Sequence, residues 1–360
     1  MLKKCIAALA LSVLCASGAA GQSPAAPSAP AAAVAPARPT VEQFAAGPNF
    51  TSASLSPSGR YIAGIKHLED AQMLVVFDRQ TGRWSTVQRA VEAEGVGLAW
   101  VGWKNDERLL IGARFKLVRR EDDSPWISRV LSSPRTGGAT VTMFENQTSR
   151  LAVSYAATKL VSRLPHDPEH VLLAAYADIG LALWKANVNT GRVQRVEVGN
   201  WNTTYWALDL HGTPILRRDE MYRNSGYRMF RRTPGTREWI QFFEEKRAAA
   251  INADEFEPYN AAPGVGQVYV SARPAGRDLN ALYAYNAVTG EYGAPLIEHP
   301  RADIDGALID QITGELLAAC ADVQRYECIG KDRALGRHLA AIDGFLNHAA
   351  NIGSVLSAVR

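Results

Sequence analysis

His166, Asp167, Glu169 and His170 are the densest set of metal-ligating and acid–base side chains in the sequence, within Leu164-Pro165-His166-Asp167-Pro168-Glu169-His170. Two imidazoles and two carboxylates could hold a divalent ion if a helix aligned them on one face. Pro168 disfavours that helix, because its ring fixes φ and it has no N–H to donate. No cysteine lies nearby. The stretch is therefore expected to be a surface turn between two strands, and no metal ligand is assigned.

Nucleophilic chemistry has no better candidate. An α/β-hydrolase presents its serine on a tight strand-to-helix turn, which requires Gly-x-Ser-x-Gly. The nearest fragment, Gly353-Ser354, lacks the spacing and the second glycine. Gly264-Val265-Gly266 lacks the rest of a phosphate-cradling loop. No catalytic residue and no cofactor-binding residue is assigned, and no cofactor is implied.

Arg217, Arg218, Arg228, Arg231 and Arg232 alternate with Tyr222, Tyr227 and Phe230. Arginines among aromatics could take an anion or a single-stranded nucleic acid. Asp219, Glu220, Glu244 and Glu245 dilute the charge, so a solvated strand face is the expectation. Cys320 and Cys328 are the cysteines that remain outside the first 21 residues. In an oxidising compartment they could close a small disulfide loop; two separate thiols is the alternative.

The elements that must position these groups are short strands. Ser56-Pro57-Ser58-Gly59 precedes Tyr61-Ile62-Ala63-Gly64-Ile65, and Asp78-Arg79-Gln80-Thr81-Gly82 follows Met73-Leu74-Val75-Val76-Phe77. Turn residues between β-branched and aromatic runs predict antiparallel strands. Thr-Gly recurs at Gly82, Gly137, Gly191, Gly290 and Gly314, with a reversed Gly235-Thr236 between, in steps of 55, 54, 44, 55 and 24 residues. A repeat of short strands near 50 residues predicts propeller blades. Units are expected at about 50–92, 96–138, 150–199, 201–246 and 256–298, with a sixth from about 304. Leu335, Leu339, Ile342 and Leu346 then fall at helical spacing within residues 333–347. A strand is expected over 352–359. The fold class expected is all-β: a propeller of about six to seven blades over residues 41–360, its ring ending part-way, with a short C-terminal helix.

Composition is that of a globular protein, with 47% hydrophobic and 21% charged residues. Residues 1–21 read as a secretory signal peptide: Lys3-Lys4, an apolar run from Cys5 to Cys15, then small residues. The apolar run is short for a membrane anchor, and a lipidation site at Cys15 is the lesser alternative. Residues 22–40 are almost wholly Ala, Pro and Ser, which suits an extended linker. The net charge is +3, and about +1 without Lys3 and Lys4. That balance gives no reason to propose nucleic acid or, after cleavage, a membrane as partner. The protein is expected to be exported, periplasmic or secreted.

Leu55-Ser56-Pro57-Ser58-Gly59-Arg60-Tyr61-Ile62-Ala63 resembles the first propeller blade of exported bacterial serine peptidases of the prolyl oligopeptidase family. The lead-in Val41-Glu42-Gln43-Phe44 is similar, as are Trp103 with Asn105-Asp106-Glu107-Arg108-Leu109, then Leu164-Pro165-His166-Asp167-Pro168, and Leu282-Tyr283-Ala284-Tyr285 with Thr289-Gly290-Glu291. The resemblance runs from about residue 41 to 330. It implies a propeller that restricts substrate access, favouring peptides over folded proteins, ahead of an α/β-hydrolase domain carrying Ser, Asp and His. No position here matches that family's catalytic motifs. The resemblance implies that this chain is the propeller portion, inactive by itself, with peptide substrate as the partner once joined to a hydrolase. A stand-alone periplasmic propeller that binds a partner is the alternative.

Overall fold

Two kinds of strand are written into the sequence. Runs such as Arg108–Lys116 are apolar along most of their length and buried on both faces, as strands sandwiched between neighbouring sheets must be. Strands such as Arg83–Ala90 are polar and largely exposed, as the outer strand of a sheet tolerates. The computed structural model describes residues 40–41, 47–116, 126–147, 158–177, 180–246, 255–310 and 312–345. The expected signal peptide (1–21), nearly all of the linker (22–40), most of the lead-in turn and the strand at 352–359 lie outside the described residues.

The described residues form a six-bladed β-propeller, each blade an antiparallel meander. Blade 1 is β1 (Phe50–Leu55), β2 (Tyr61–His67), β3 (Gln72–Asp78) and β4 (Arg83–Ala90). Blade 2 is β5 (Val96–Asn105), β6 (Arg108–Lys116), β7 (Trp126–Pro134) and β8 (Val141–Thr142). Blade 3 is β9 (Lys159–Ser162), β10 (His170–Ala177), β11 (Gly180–Asn187) and β12 (Val193–Val198). Blade 4 is β13 (Thr203–Leu208), β14 (Pro214–Glu220), β15 (Gly226–Arg232) and β16 (Trp239–Lys246). Blade 5 is β17 (Phe256–Ala261), β18 (Gln267–Ala272), β19 (Ala281–Asn286) and β20 (Glu291–Ile297). Blade 6 has three strands, β21 (Gly306–Ile309), β22 (Leu316–Asp322) and β23 (Tyr326–Gly330). Helix α1 (Arg333–Phe345) follows, its first turn capped by Asp332, whose Oδ1 accepts the Leu335 N–H at 2.9 Å. Of the expected helix face, Leu339 is buried and Ile342 is 37% exposed; Leu346 is outside the described residues.

Four of the five recurring Thr-Gly turns share one geometry; at Thr136-Gly137 the glycine N–H instead reaches the Pro134 carbonyl at 3.0 Å. Asp78 Oδ1 accepts the N–H groups of Gln80 and Thr81, and Gly82 donates to the Asp78 carbonyl at 2.8 Å. Asn187, Asn286 and Asp310 do the same for Gly191, Gly290 and Gly314. Each of these glycines has φ between 69° and 82°, where a side chain would be strained. In blades 1, 3 and 5 this turn joins the third and fourth strands. Thr313-Gly314 departs from the expected register: it joins the first and second strands of blade 6, which accounts for the final step of 24 residues.

Each blade buries its face against the next. Tyr61, Leu74 and Val76 of blade 1 pack on Leu98, Trp103 and Ile111 of blade 2. Val130 and Phe144 meet Val171 and Trp184 across blades 2 and 3, and Leu172 and Leu183 meet Trp206 and Leu208 across blades 3 and 4. Met229 and Tyr227 meet Phe256, Val270 and Tyr285 across blades 4 and 5. Tyr269 and Leu282 meet Ile309 and Leu316 across blades 5 and 6. Among the described residues no such cluster joins blade 6 to blade 1.

Candidate ligand-binding site

A meander places the start of its first and third strands at the same rim as the end of its second and fourth. One such rim, at blades 4, 5 and 6, holds a recess of about 670 Å³. Period-two alternation along the first strand of blade 5 puts Glu255, Glu257 and Tyr259 on one side, while Phe256 between them is fully buried in the blade 4–5 core. Blade 4 contributes Arg218, Glu220, Tyr227 and Glu245; the crossover into blade 6 contributes Arg301, Asp303 and Asp305, and Asp322 ends β22. Seven carboxylates thus face two guanidinium groups.

Arg218 is held within this set. Its Nε donates to Glu220 Oε1 at 3.0 Å and its Nη1 to Glu257 Oε2 at 3.1 Å. Its guanidinium lies 3.8 Å from the centre of the Tyr227 ring, a cation over an aromatic face. Glu255 and Asp303 meet neutral donors. Asn280 donates its side-chain amide to Glu255 and its backbone N–H to Asp303 Oδ1 at 2.7 Å. The Tyr227 hydroxyl donates to the Phe256 carbonyl oxygen at 3.3 Å. Asn280 is 5% exposed, and its Oδ1 meets no donor, although buried acceptors are normally satisfied.

The walls set the electrostatics. Glu257 lines the recess with about half of its side chain exposed. Crowding by the surrounding protein raises its carboxyl above the ordinary value, Arg218 opposes that, and Glu245, Glu220 and Glu255 add to it. Burial raises the Tyr227 and Tyr259 hydroxyls well above their usual range, so both stay neutral donors.

The residues singled out by sequence lie elsewhere. Leu164-Pro165-His166-Asp167-Pro168-Glu169-His170 is the turn between β9 and β10, on the opposite rim. Asp167 accepts from His170 Nδ1 at 2.9 Å and from Lys185 Nζ at 2.8 Å. Burial alone would raise its carboxyl, but these two donors and the backbone N–H of Glu169 hold it far below the usual range. His166 points away to the ring of His211, 5.6 Å between centroids. Among the described residues no three His, Cys, Asp or Glu converge on a metal position. The blade 4 arginines depart from the solvated face expected of them: Arg217 with Asp219 is a buried pair and Arg232 with Glu197 a largely buried one, while Arg228 with Glu244 is more open to solvent. Cys320 and Cys328 stand directly opposite in the β22–β23 register, Cα atoms 4.0 Å apart, joined as a disulfide.

Sequence reasoning missed the recess because its acids are scattered from Glu220 to Asp322 in five separate stretches. A usable signal was present: Glu255 and Asp305 each immediately precede the first strand of a blade, so both had to reach the same rim.

No protein-family model matches the chain, and no curated protein matches it in sequence. Among solved structures, it is similar to an acylaminoacyl peptidase from Pyrococcus horikoshii, with a TM-score of 0.50 and 14% identity over 84% of this chain and 47% of that one. A second acylaminoacyl peptidase, in complex with a chloromethyl ketone, gives 0.48 and 11% over the same shares of the two chains. The β-propeller domain of the Trilobed protease from Pyrococcus furiosus gives 0.44 and 12% over 79% and 84%. The chain spans about half the length of the peptidase chains it matches. At these identities the likeness concerns the fold, and the fold it supports is the β-propeller.

Proposed function

We propose that this chain is the substrate-gating propeller of an exported serine peptidase of the prolyl oligopeptidase family, its catalytic α/β-hydrolase domain lying outside this sequence. The observation that carries this reading is the six-blade fold, which matches over most of its length to under half of a peptidase chain. The ordered motifs from Leu55 to Glu291 support it. A propeller of packed sheets admits an extended peptide and turns away a folded domain by size alone. Catalysis needs a nucleophile, a base and an oxyanion site in one geometry, and none is assigned here, so the chain alone is expected to be inactive.

A second reading, a stand-alone periplasmic propeller that binds its partner, is favoured by one observation: the recess is built wholly from this chain's residues. The intact mass of the native protein in its source cells separates the two. A species far heavier than residues 22–360 supports the peptidase gate. A mass matching residues 22–360 overturns it in favour of the binding module.

A further inference from the structure

We propose that the Arg163 guanidinium, at the joint between blades 2 and 3, binds the carboxylate group of a ligand. Arg163 directly follows β9, the first strand of blade 3, on the rim opposite the acidic recess. Its side chain reaches across to β5, the first strand of blade 2, where a Cβ on Gly102 would stand 2.8 Å from Nη2. Among the described residues this guanidinium has neither an ion pair nor a hydrogen bond. Its Nε is shut off from solvent without an acceptor, whereas the two Nη groups are not enclosed in this way, so the end of the fork is open. Burial lowers the pKa with no neighbouring anion to oppose it. A cation withdrawn from water without a counter-charge is costly, and the enclosed arginines of blade 4 avoid that cost, Arg217 with Asp219 and Arg232 with Glu197.

A second cation stands beside the first. Lys104, two residues beyond Gly102 on β5, donates its ammonium to the carbonyl oxygens of Arg163 and Leu164. Those bonds tie down the backbone that carries the guanidinium and leave one of the three ammonium hydrogens uncommitted. Asp167, the carboxylate that acts on Lys104, is already engaged by Lys185 and His170. Positive charge is therefore in excess at this joint and held in place. A carboxylate supplies the missing charge and two coplanar oxygens, the acceptor pair that the open edge of a guanidinium takes in two parallel hydrogen bonds. The site stands whether or not a hydrolase domain accompanies the propeller.

Thermal unfolding of the purified protein in sodium acetate, against sodium chloride at equal ionic strength, tests this. Acetate at about 100 mM is expected to raise the midpoint by about 2 °C or more. Arg163→Met is expected to unfold at the same temperature in both salts. Gly102→Ala displaces the guanidinium at little cost to the fold, because the atom its Cβ meets is the end of a flexible side chain. It is expected to lower the acetate response, so a misfolded Arg163→Met does not leave the inference without a test. No acetate response in the native protein, or one retained in full by both variants, overturns the inference. A larger response to phosphate than to acetate, lost in Arg163→Met, overturns the carboxylate assignment in favour of phosphate. Calorimetric titration with N-acetylated tri-alanine and with its C-terminal amide then separates two sources of the carboxylate. An acid form binding at least about tenfold more tightly places a peptide C-terminus on Arg163. Equal affinities, with the acetate response intact, assign the site to free small carboxylates.

Discussion

Lys104 of blade 2 donates its ammonium to the carbonyl oxygen of Leu164 in blade 3 at 2.9 Å. It also donates to the Arg163 carbonyl. Leu164 has φ of 47°, a conformation uncommon for a branched residue, in the stretch that offers both carbonyls to the lysine. Lys104 is 8% exposed. Burial, opposed by Asp167 and reinforced by Arg163 and Lys185, brings its pKa from 10.5 down to about 8.

This makes the joint between the two blades pH-sensitive in a defined direction. Between about 8 and 10.5 the unfolded chain holds the Lys104 proton that the folded chain has released, so stability rises with pH across that window and this contribution is lost as pH falls through 8. The difference in unfolding free energy between the native protein and Lys104→Met is expected to grow by on the order of 2–3 kcal/mol across the window. Urea unfolding at a series of pH values measures it. A flat difference would show that the ammonium is not desolvated.

The Cys320–Cys328 bridge closes a loop with a sequence separation of 8. A loop this short limits the unfolded chain only modestly, so the pair Cys320→Ala and Cys328→Ala is expected to cost about 2–3 kcal/mol. Thermal unfolding gives the loss. Alkylation with and without reductant, read by mass, shows whether the two sulfurs are bonded in the native protein.

Gly82 and Gly191 occupy equivalent turns with φ of 69° and 70°. A Cβ on Gly82 would meet nothing within 4 Å, whereas on Gly191 it would lie 2.1 Å from the Thr142 carbonyl oxygen. Gly82→Ala is therefore expected to cost the left-handed backbone penalty alone, about 1–2 kcal/mol. Gly191→Ala adds a backbone collision and is expected to cost about 1–3 kcal/mol more. Equal losses in chemical denaturation would contradict the packing of blade 3 on blade 2 at that point.

Asp219, in blade 4, is 7% exposed. It accepts from Thr203 Oγ1 at 2.7 Å, Asn200 Nδ2 at 2.8 Å and Arg217 Nη2 at 2.9 Å. Asp219→Ala leaves the Arg217 guanidinium, itself 12% exposed, without its carboxylate, and is expected to cost about 3–5 kcal/mol. The double variant with Arg217→Met is expected to recover part of that loss, which a double-mutant cycle would quantify.

The blades were legible because their signals are local. Asp78 to Gly82 fixes its own turn, and Met73 to Phe77 shows by unbroken apolarity that it lies between two sheets. The position of Thr313-Gly314 was not legible, since the same turn chemistry serves the first connection of a blade as well as the third. The recess was invisible for a different reason. Glu257 meets Arg218 only because two blades pack side by side, and no short-range pattern encodes that approach. The two densest sequence clusters, at His166 and Arg217, resolve into internal pairings.

The inter-blade cores join only consecutive blades, and among the described residues none ties the sixth back to the first. Order of assembly follows from this. Among the described residues each meander closes short loops of its own and docks on the one made just before it, which costs less entropy than joining distant segments. A polypeptide emerging N-terminus first, from a ribosome or through a translocation pore, can add one sheet at a time to a growing stack.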